Sequence, residues 1–306
     1  MRHKKVACRT IVVLRLAMPT DKDKVFLDYT QEQLDQAYDQ LYWAPQRDAI
    51  QAEIRKACAA VRQAMPPRTE RYGKSDMQLV DIYAPAQAAR APVLVFLHGG
   101  AWLRGSRLDV AYPAPTVTGR GAAFLAVDFN NVSEVPLPSM IEQCREAIDW
   151  TARHAASFGG DPDRIYLAGH SSGAHLAGCV LLTDWAARGL PGDVIKGALL
   201  ISGMYDLHAP LLSARSKYVK ITPEEEAAAS AIRQLGSIRC PVAVAWSVGD
   251  SPEFRRQSQV FAAALQGMGR LASRTETFSA NHFEEPRQLE KPDSELSRVL
   301  FSLMKI

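Results

Sequence analysis

The stretch that most constrains this chain is Arg164-Ile165-Tyr166-Leu167-Ala168-Gly169-His170-Ser171-Ser172-Gly173-Ala174-His175-Leu176-Ala177. Its apolar beginning reads as a buried strand that ends at Gly169, and its small-residue end reads as a helix from about Ser172. Between them lies Gly-x-Ser-x-Gly, a turn so tight that glycines must flank the serine. A chain built around such a turn needs a sheet below it and helices packed on that sheet. The Ser171 side chain is then held away from the strand end, over a helix N-terminus, as a nucleophile would be.

The rest of the chain agrees with a layered fold. Residues 78–83 alternate like an edge strand. Residues 92–97 are a continuous apolar run, as a strand buried on both faces should be, and the run breaks at His98-Gly99-Gly100-Ala101-Trp102. A poor helix over 108–120, a strand over 122–128 and a proline-marked loop through Pro136 and Pro138 follow. Residues 139–157 have helical periodicity, and the helix after the elbow runs to about Ala187. Residues 197–202 and 242–247 are further strands, separated by a lid-like insertion over 205–235. A helix over 252–266, a strand over 273–278 and a helix over 294–304 close the pattern. Strand and helix alternate throughout, so the fold class is α/β, a mainly parallel central sheet with helices on both faces, in one domain over 19–306.

Ahead of the sheet, Thr30 followed by Gln31-Glu32-Gln33 reads as a helix cap, with a helix to about Tyr42 and a second over 48–64. Leu34, Tyr38, Leu41 and Tyr42 fall on one face of the first, which makes it a packing or lid helix. Residues 1–18 read as a disordered leader, or as an over-long start with Met18 the real initiator. Arg9 and Arg15 interrupt what would otherwise resemble a signal peptide.

Composition excludes some classes. The net charge of +3 is the small difference between 36 bases and 33 acids, which gives no footprint for nucleic acid. No apolar run approaches the ~20 residues of a membrane span. The five cysteines, Cys8, Cys58, Cys144, Cys179 and Cys240, are scattered without metal-ligand spacing and read as reduced thiols of a cytoplasmic protein.

A serine hydroxyl is a weak nucleophile near neutral pH, so Ser171 needs a base, and the base needs a group to orient it. In a parallel sheet, reactive groups lie beyond the carboxyl ends of strands. Of the seven histidines, only His208 and His282 follow a strand after the elbow, and His282 comes directly after the last one. For the acid, Asp250 follows the strand over 242–247, and Asp206 occupies a similar place one strand earlier. Ser171, Asp250 and His282 fall in the nucleophile–acid–base order of α/β-hydrolases, which favours Asp250 and leaves Asp206 to brace its loop. The oxyanion needs preorganised donors: the amides of Gly99 and Gly100 fit, with Ser172 at the head of the elbow helix, while His98 anchors its loop.

At His98-Gly99-Gly100-Ala101-Trp102, Gly169-His170-Ser171-Ser172-Gly173, Gly249-Asp250-Ser251-Pro252-Glu253-Phe254 and Asn281-His282-Phe283, the chain resembles the arylformamidase (kynurenine formamidase) branch of the α/β-hydrolases. The likeness covers most of residues 30–304, including Ser202-Gly203-Met204-Tyr205-Asp206-Leu207. It implies hydrolysis of N-formylkynurenine to kynurenine and formate through Ser171, Asp250 and His282. One position departs: the family commonly has an aromatic residue between the second glycine and the tryptophan, where this chain has Ala101.

The expected reaction is therefore acyl transfer through Ser171 on a small ester or amide, and the resemblance adds that this substrate is aromatic.

 The chemistry calls for no metal and no organic cofactor. The same segments supply Ala101, Trp102, His170 and Tyr205 as pocket candidates. A carboxylesterase, or an aryl amide or carbamate hydrolase, would use the same machinery, and a ligand-binding protein on a hydrolase scaffold is the reading from another class. No nucleic acid or membrane partner is expected, and a homodimer is left open.

Overall fold

The computed structural model describes residues 23–86, 88–278 and 281–306, so the reading of residues 1–18 lies outside the described residues. A hairpin of β1 (Lys24–Phe26) and β2 (Tyr29–Thr30) leads into α1 (Gln31–Tyr38), α2 (Gln40–Trp43) and α3 (Arg47–Ala64). There follow β3 (Arg68–Arg71), β4 (Leu79–Tyr83), β5 (Ala91–Leu97), α4 (Ala114–Gly119), β6 (Ala123–Val127), α5 (Leu137–His154), β7 (Gly160–His170), α6 (Ser172–Val180) and β8 (Ile195–Ile201). The insertion carries α7 (His208–Leu212) and α8 (Pro223–Ala228), and β9 (Val242–Ser247), α9 (Pro252–Gly267), β10 (Leu271–Thr277) and α10 (Glu295–Met304) complete the chain.

Strands β3 to β10 form one sheet in the order β3-β4-β6-β5-β7-β8-β9-β10. Only the β3–β4 and β4–β6 pairs are antiparallel. The inner parallel strands, such as β5 and β6, are apolar on both faces because both are covered. Val93, Val95 and Leu97 of β5 join a core with Ile141 and Ile148 of α5, Leu176 of α6 and Phe261 of α9. Leu94 and Phe96, on the opposite face, pack with Cys58 of α3, Val117 of α4 and Leu300 of α10. The α/β-hydrolase architecture expected from the elbow is present.

Register sets the site. Leu97 pairs with Gly169, so the loop after β5 leaves the sheet level with the elbow. His170 pairs with Ile201, Ile201 with Ala245, and Thr275 with Ala245. The segments after β5, β7, β8, β9 and β10 therefore leave the sheet along one edge.

Several local expectations need correction. The strand over 78–83 is not an edge: β4 lies between β3 and β6, and its alternation arises because Asp81 is buried and paired with Arg62 and Arg107. The edge is β3, whose Arg-Thr-Glu-Arg sequence has no apolar signal. The first helix has its Thr30–Gln33 capping box but stops at Tyr38, where Asp39 turns to cap α2. Leu34 and Tyr38 are buried, but Leu41 and Tyr42 are exposed, so the four do not share a buried face. Pro138 lies inside the first turn of α5, where a missing N–H costs nothing. The helix after the elbow ends at Val180, well short of Ala187. The segment over 108–120 divides into a 3₁₀ turn, Arg107–Asp109, and the short α4.

Candidate active site

Ser171 sits at the turn from β7 to α6 with φ 57° and ψ −124°, a strained backbone for a residue with a side chain. The turn is held on both sides: the Ser171 amide donates to the Ile201 carbonyl at 2.8 Å, and its carbonyl accepts from the His175 amide at 3.1 Å. Gly173 is required by space, because a Cβ there would lie 2.1 Å from the Leu97 carbonyl oxygen at the end of β5. The strain keeps Oγ clear of the helix while the packed backbone prevents relaxation.

His282 Nε2 lies 2.9 Å from Ser171 Oγ, and His282 Nδ1 lies 2.6 Å from Asp250 Oδ1. All three side chains are buried. Bound to the carboxylate, Nδ1 carries the hydrogen, so Nε2 is left as the acceptor that faces the serine hydroxyl. Asp250 Oδ2 accepts from the Ser247 amide at 3.1 Å and from Ser202 Oγ at 2.5 Å.

Ser202 reveals a member of the site that sequence reasoning missed. Its Oγ is also 2.5 Å from Glu285 Oε2, although a hydroxyl has one hydrogen to give. Donated to Asp250, that hydrogen leaves Ser202 Oγ as an acceptor, and Glu285 must then be a neutral acid that donates to it. Burial, reinforced by the neighbouring Asp250 charge, raises the Glu285 carboxyl well above its usual range. The proton order is thus Glu285 to Ser202 to Asp250, with the negative charge kept on the carboxylate that faces His282. The only signal in the sequence was a glutamate three residues after the histidine, which nothing distinguishes from a solvated one.

The loop after β5 reaches the elbow closely. A Cβ on Gly99 would be 3.2 Å from Ser171 Cβ, and the left-handed Gly100 (φ 129°) would place one 1.8 Å from the Arg104 carbonyl. Neither the Gly99 nor the Gly100 amide donates to another group among the described residues. Those amides, with Ser172 opening α6, are available to an oxyanion. His98 is buried, stacked on Phe129 at 4.2 Å, and bonds Nδ1 to the Gly99 carbonyl at 2.8 Å. Burial lowers its pKa, so it is a neutral anchor of this loop.

A cavity of about 690 Å³ opens over Ser171, lined by Ala101, His170 and His282 among others. His170 packs on His282 with ring centroids 4.6 Å apart, and burial, then the His282 charge, holds its pKa well below the usual value. Two pocket candidates lie elsewhere. Trp102 is buried and donates from Nε1 to His175 Nδ1 at 3.1 Å, because its left-handed backbone (φ 62°) turns it into the core. Tyr205 is buried against Phe261 at 4.1 Å, beneath the insertion. Asp206 is braced by Arg233 at 2.7 Å, and His208 is exposed near Glu226, so neither faces Ser171. No helix among the described residues is long and apolar enough to cross a membrane.

The family model described as BD-FAE matches residues 80–190. The kynurenine formamidase of Salmo salar is 32% identical over 241 residues, covering 76% of this chain and 80% of that protein. The kynurenine formamidase of Danio rerio is 28% identical over 288 residues, covering 90% of this chain and 97% of its own. The crystal structure of a putative thioesterase from Silicibacter sp. TM1040 superposes with a TM-score of 0.76 at 23% identity, covering 87% of this chain and 98% of that one.

Proposed function

Because the chain belongs to the kynurenine formamidase family of α/β-hydrolases, we propose that it hydrolyses an N-formyl aryl amide, N-formylkynurenine, to the free arylamine and formate. The observation that carries this is the hydrogen-bonded file from Asp250 through His282 to Ser171, which ends in a cavity beside unpaired loop amides.

In the mechanism, His282 Nε2 takes the Ser171 proton as Oγ attacks the formyl carbon. The amides of Gly99, Gly100 and Ser172 receive the negative oxygen. His282 returns the proton to the departing aryl nitrogen, whose lone pair spreads into the ring, and Ser171 is left formylated. Water, deprotonated by His282, then releases formate and restores the serine. Asp250 stabilises the imidazolium at each stage. The four described cysteines are buried free thiols, in keeping with a cytoplasmic setting.

Ala101 supports a second reading. It lines the cavity where the family commonly has an aromatic side chain, and the space released beside the oxyanion amides suits a bulkier acyl group, as in a carboxylesterase. Comparison of kcat/KM for N-formylkynurenine and for short p-nitrophenyl esters separates the two. Preference for the formamide supports the first reading, and turnover of esters alone overturns it. With either substrate, Ser171→Ala is expected to lower kcat by at least about 10⁴-fold. Undiminished turnover in that variant would remove Ser171 from the mechanism.

A further inference from the structure

We propose that Arg215 is a carboxylate-binding residue of the substrate cavity, so that this enzyme selects substrates carrying an anionic group. Arg215 lies in a 3₁₀ turn of the insertion, Ala214–Lys217, and lines the cavity shared by Ser171 and His282. It is only 6% exposed. A guanidinium cannot shed its charge at ordinary pH, so a buried one normally faces a carboxylate.

Among the described residues Arg215 has no such partner. Among the described residues, its hydrogen bonds go to two neutral acceptors, the Tyr218 hydroxyl at 3.1 Å and the Tyr38 carbonyl at 3.0 Å. Its Nε has no hydrogen-bond partner among the described residues. The rings of Tyr38, Trp102 and Phe254 lie 5.5–5.9 Å from the guanidinium carbon, which fixes its position and attracts the charge without neutralising it.

The acids of the cavity wall are engaged by other groups, Asp109 by the Ser106 hydroxyl at 3.1 Å. Asp35 accepts from the Ala214 amide at 2.6 Å and from Gln31, Asp39 caps the Leu41 amide at 2.9 Å, and Glu253 is held by Arg256 and Tyr38. The remaining donors of a planar fork, in the same cavity as the reactive serine and without a counter-ion among the described residues, match a ligand carboxylate.

Which half of the substrate bears the carboxylate rests on the formamidase reading. A formyl group has no room for it, so the anion belongs to the arylamine side.

The test compares matched substrates. For a formanilide with a propanoate side chain and its carboxamide, and for the corresponding pair of aryl acetates, the wild-type protein is expected to favour the acid in kcat/KM by about ten- to a hundredfold. In Arg215→Met, shown to be folded by fluorophosphonate labelling of Ser171, that ratio collapses toward one. A ratio unchanged in the variant, or no preference for the acid in either wild-type pair, overturns the proposal. If only the acetate pair turns over, the formamidase reading fails while the acetate ratio still decides Arg215. The wild-type protein gives a reading independent of any variant: against phenyl acetate turnover, 3-phenylpropanoate should inhibit at least about tenfold more tightly than 3-phenylpropanamide. Equal inhibition overturns the proposal.

Discussion

Glu285 shows how a single proton can settle the charge state of a buried cluster. Two carboxyl groups share Ser202, and both cannot be ionised in so small a volume without large repulsion. Asp250 holds the charge because it alone of the two also receives the His282 ring hydrogen. Glu285→Gln replaces a neutral acid with a neutral amide that still donates, so kcat/KM should stay within about threefold of wild type. Stability separates the forms more sharply. A raised folded pKa stabilises the protein at low pH, and that contribution is lost as pH rises above about 4.5, at up to about 1.4 kcal/mol per pH unit. In urea titrations of wild type and Glu285→Gln across that range, the stability of wild type relative to the variant should decline as pH rises. Parallel curves would mean that Glu285 is ionised.

At the level of elements, His175 joins three pieces of the site. It accepts from Trp102 in the loop after β5, stands in α6, and gives its Nε2 hydrogen to the Ala229 carbonyl of the insertion at 2.9 Å. Both nitrogens are thereby committed, and burial pushes its pKa down to about 4. Trp102→Phe keeps an aromatic ring in the core but leaves a void and strands His175 Nδ1 without a donor, which together should cost about 1–3 kcal/mol or more in urea unfolding. A loss below about 0.5 kcal/mol would deny the bond a structural role. This staple was not legible in the sequence, where Trp102 appeared as a pocket residue, because its backbone conformation decides which way the ring points. The strands β5 and β7 were legible, since a strand covered on both faces must be apolar throughout. β3 was not, because its contribution is backbone pairing alone. Glu285 and Arg215 escaped for a related reason: a charged residue advertises exposure, and only the folded chain reveals the enclosure around it.

For the whole molecule, the buried histidines set the response to acid. His98, His170 and His175 all have lowered pKa values, chiefly through burial. Each stays neutral in the folded chain while its unfolded counterpart takes up a proton below about pH 6.5, so stability falls as pH decreases. Glu285 acts in the opposite sense and offsets part of that fall. Unfolding midpoints should therefore fall steeply below pH 6.5 and more steeply still in Glu285→Gln. A flat profile down to pH 5 would contradict the buried neutral state of these rings. The alignment of strand ends along one edge of the sheet has a different consequence, during synthesis. Ser171 and its base are 111 residues apart, and β10, which carries the chain toward His282, pairs only with β9. The growing chain thus bears its reactive serine long before anything can activate it, and hydrolysis begins only when the final strand has docked.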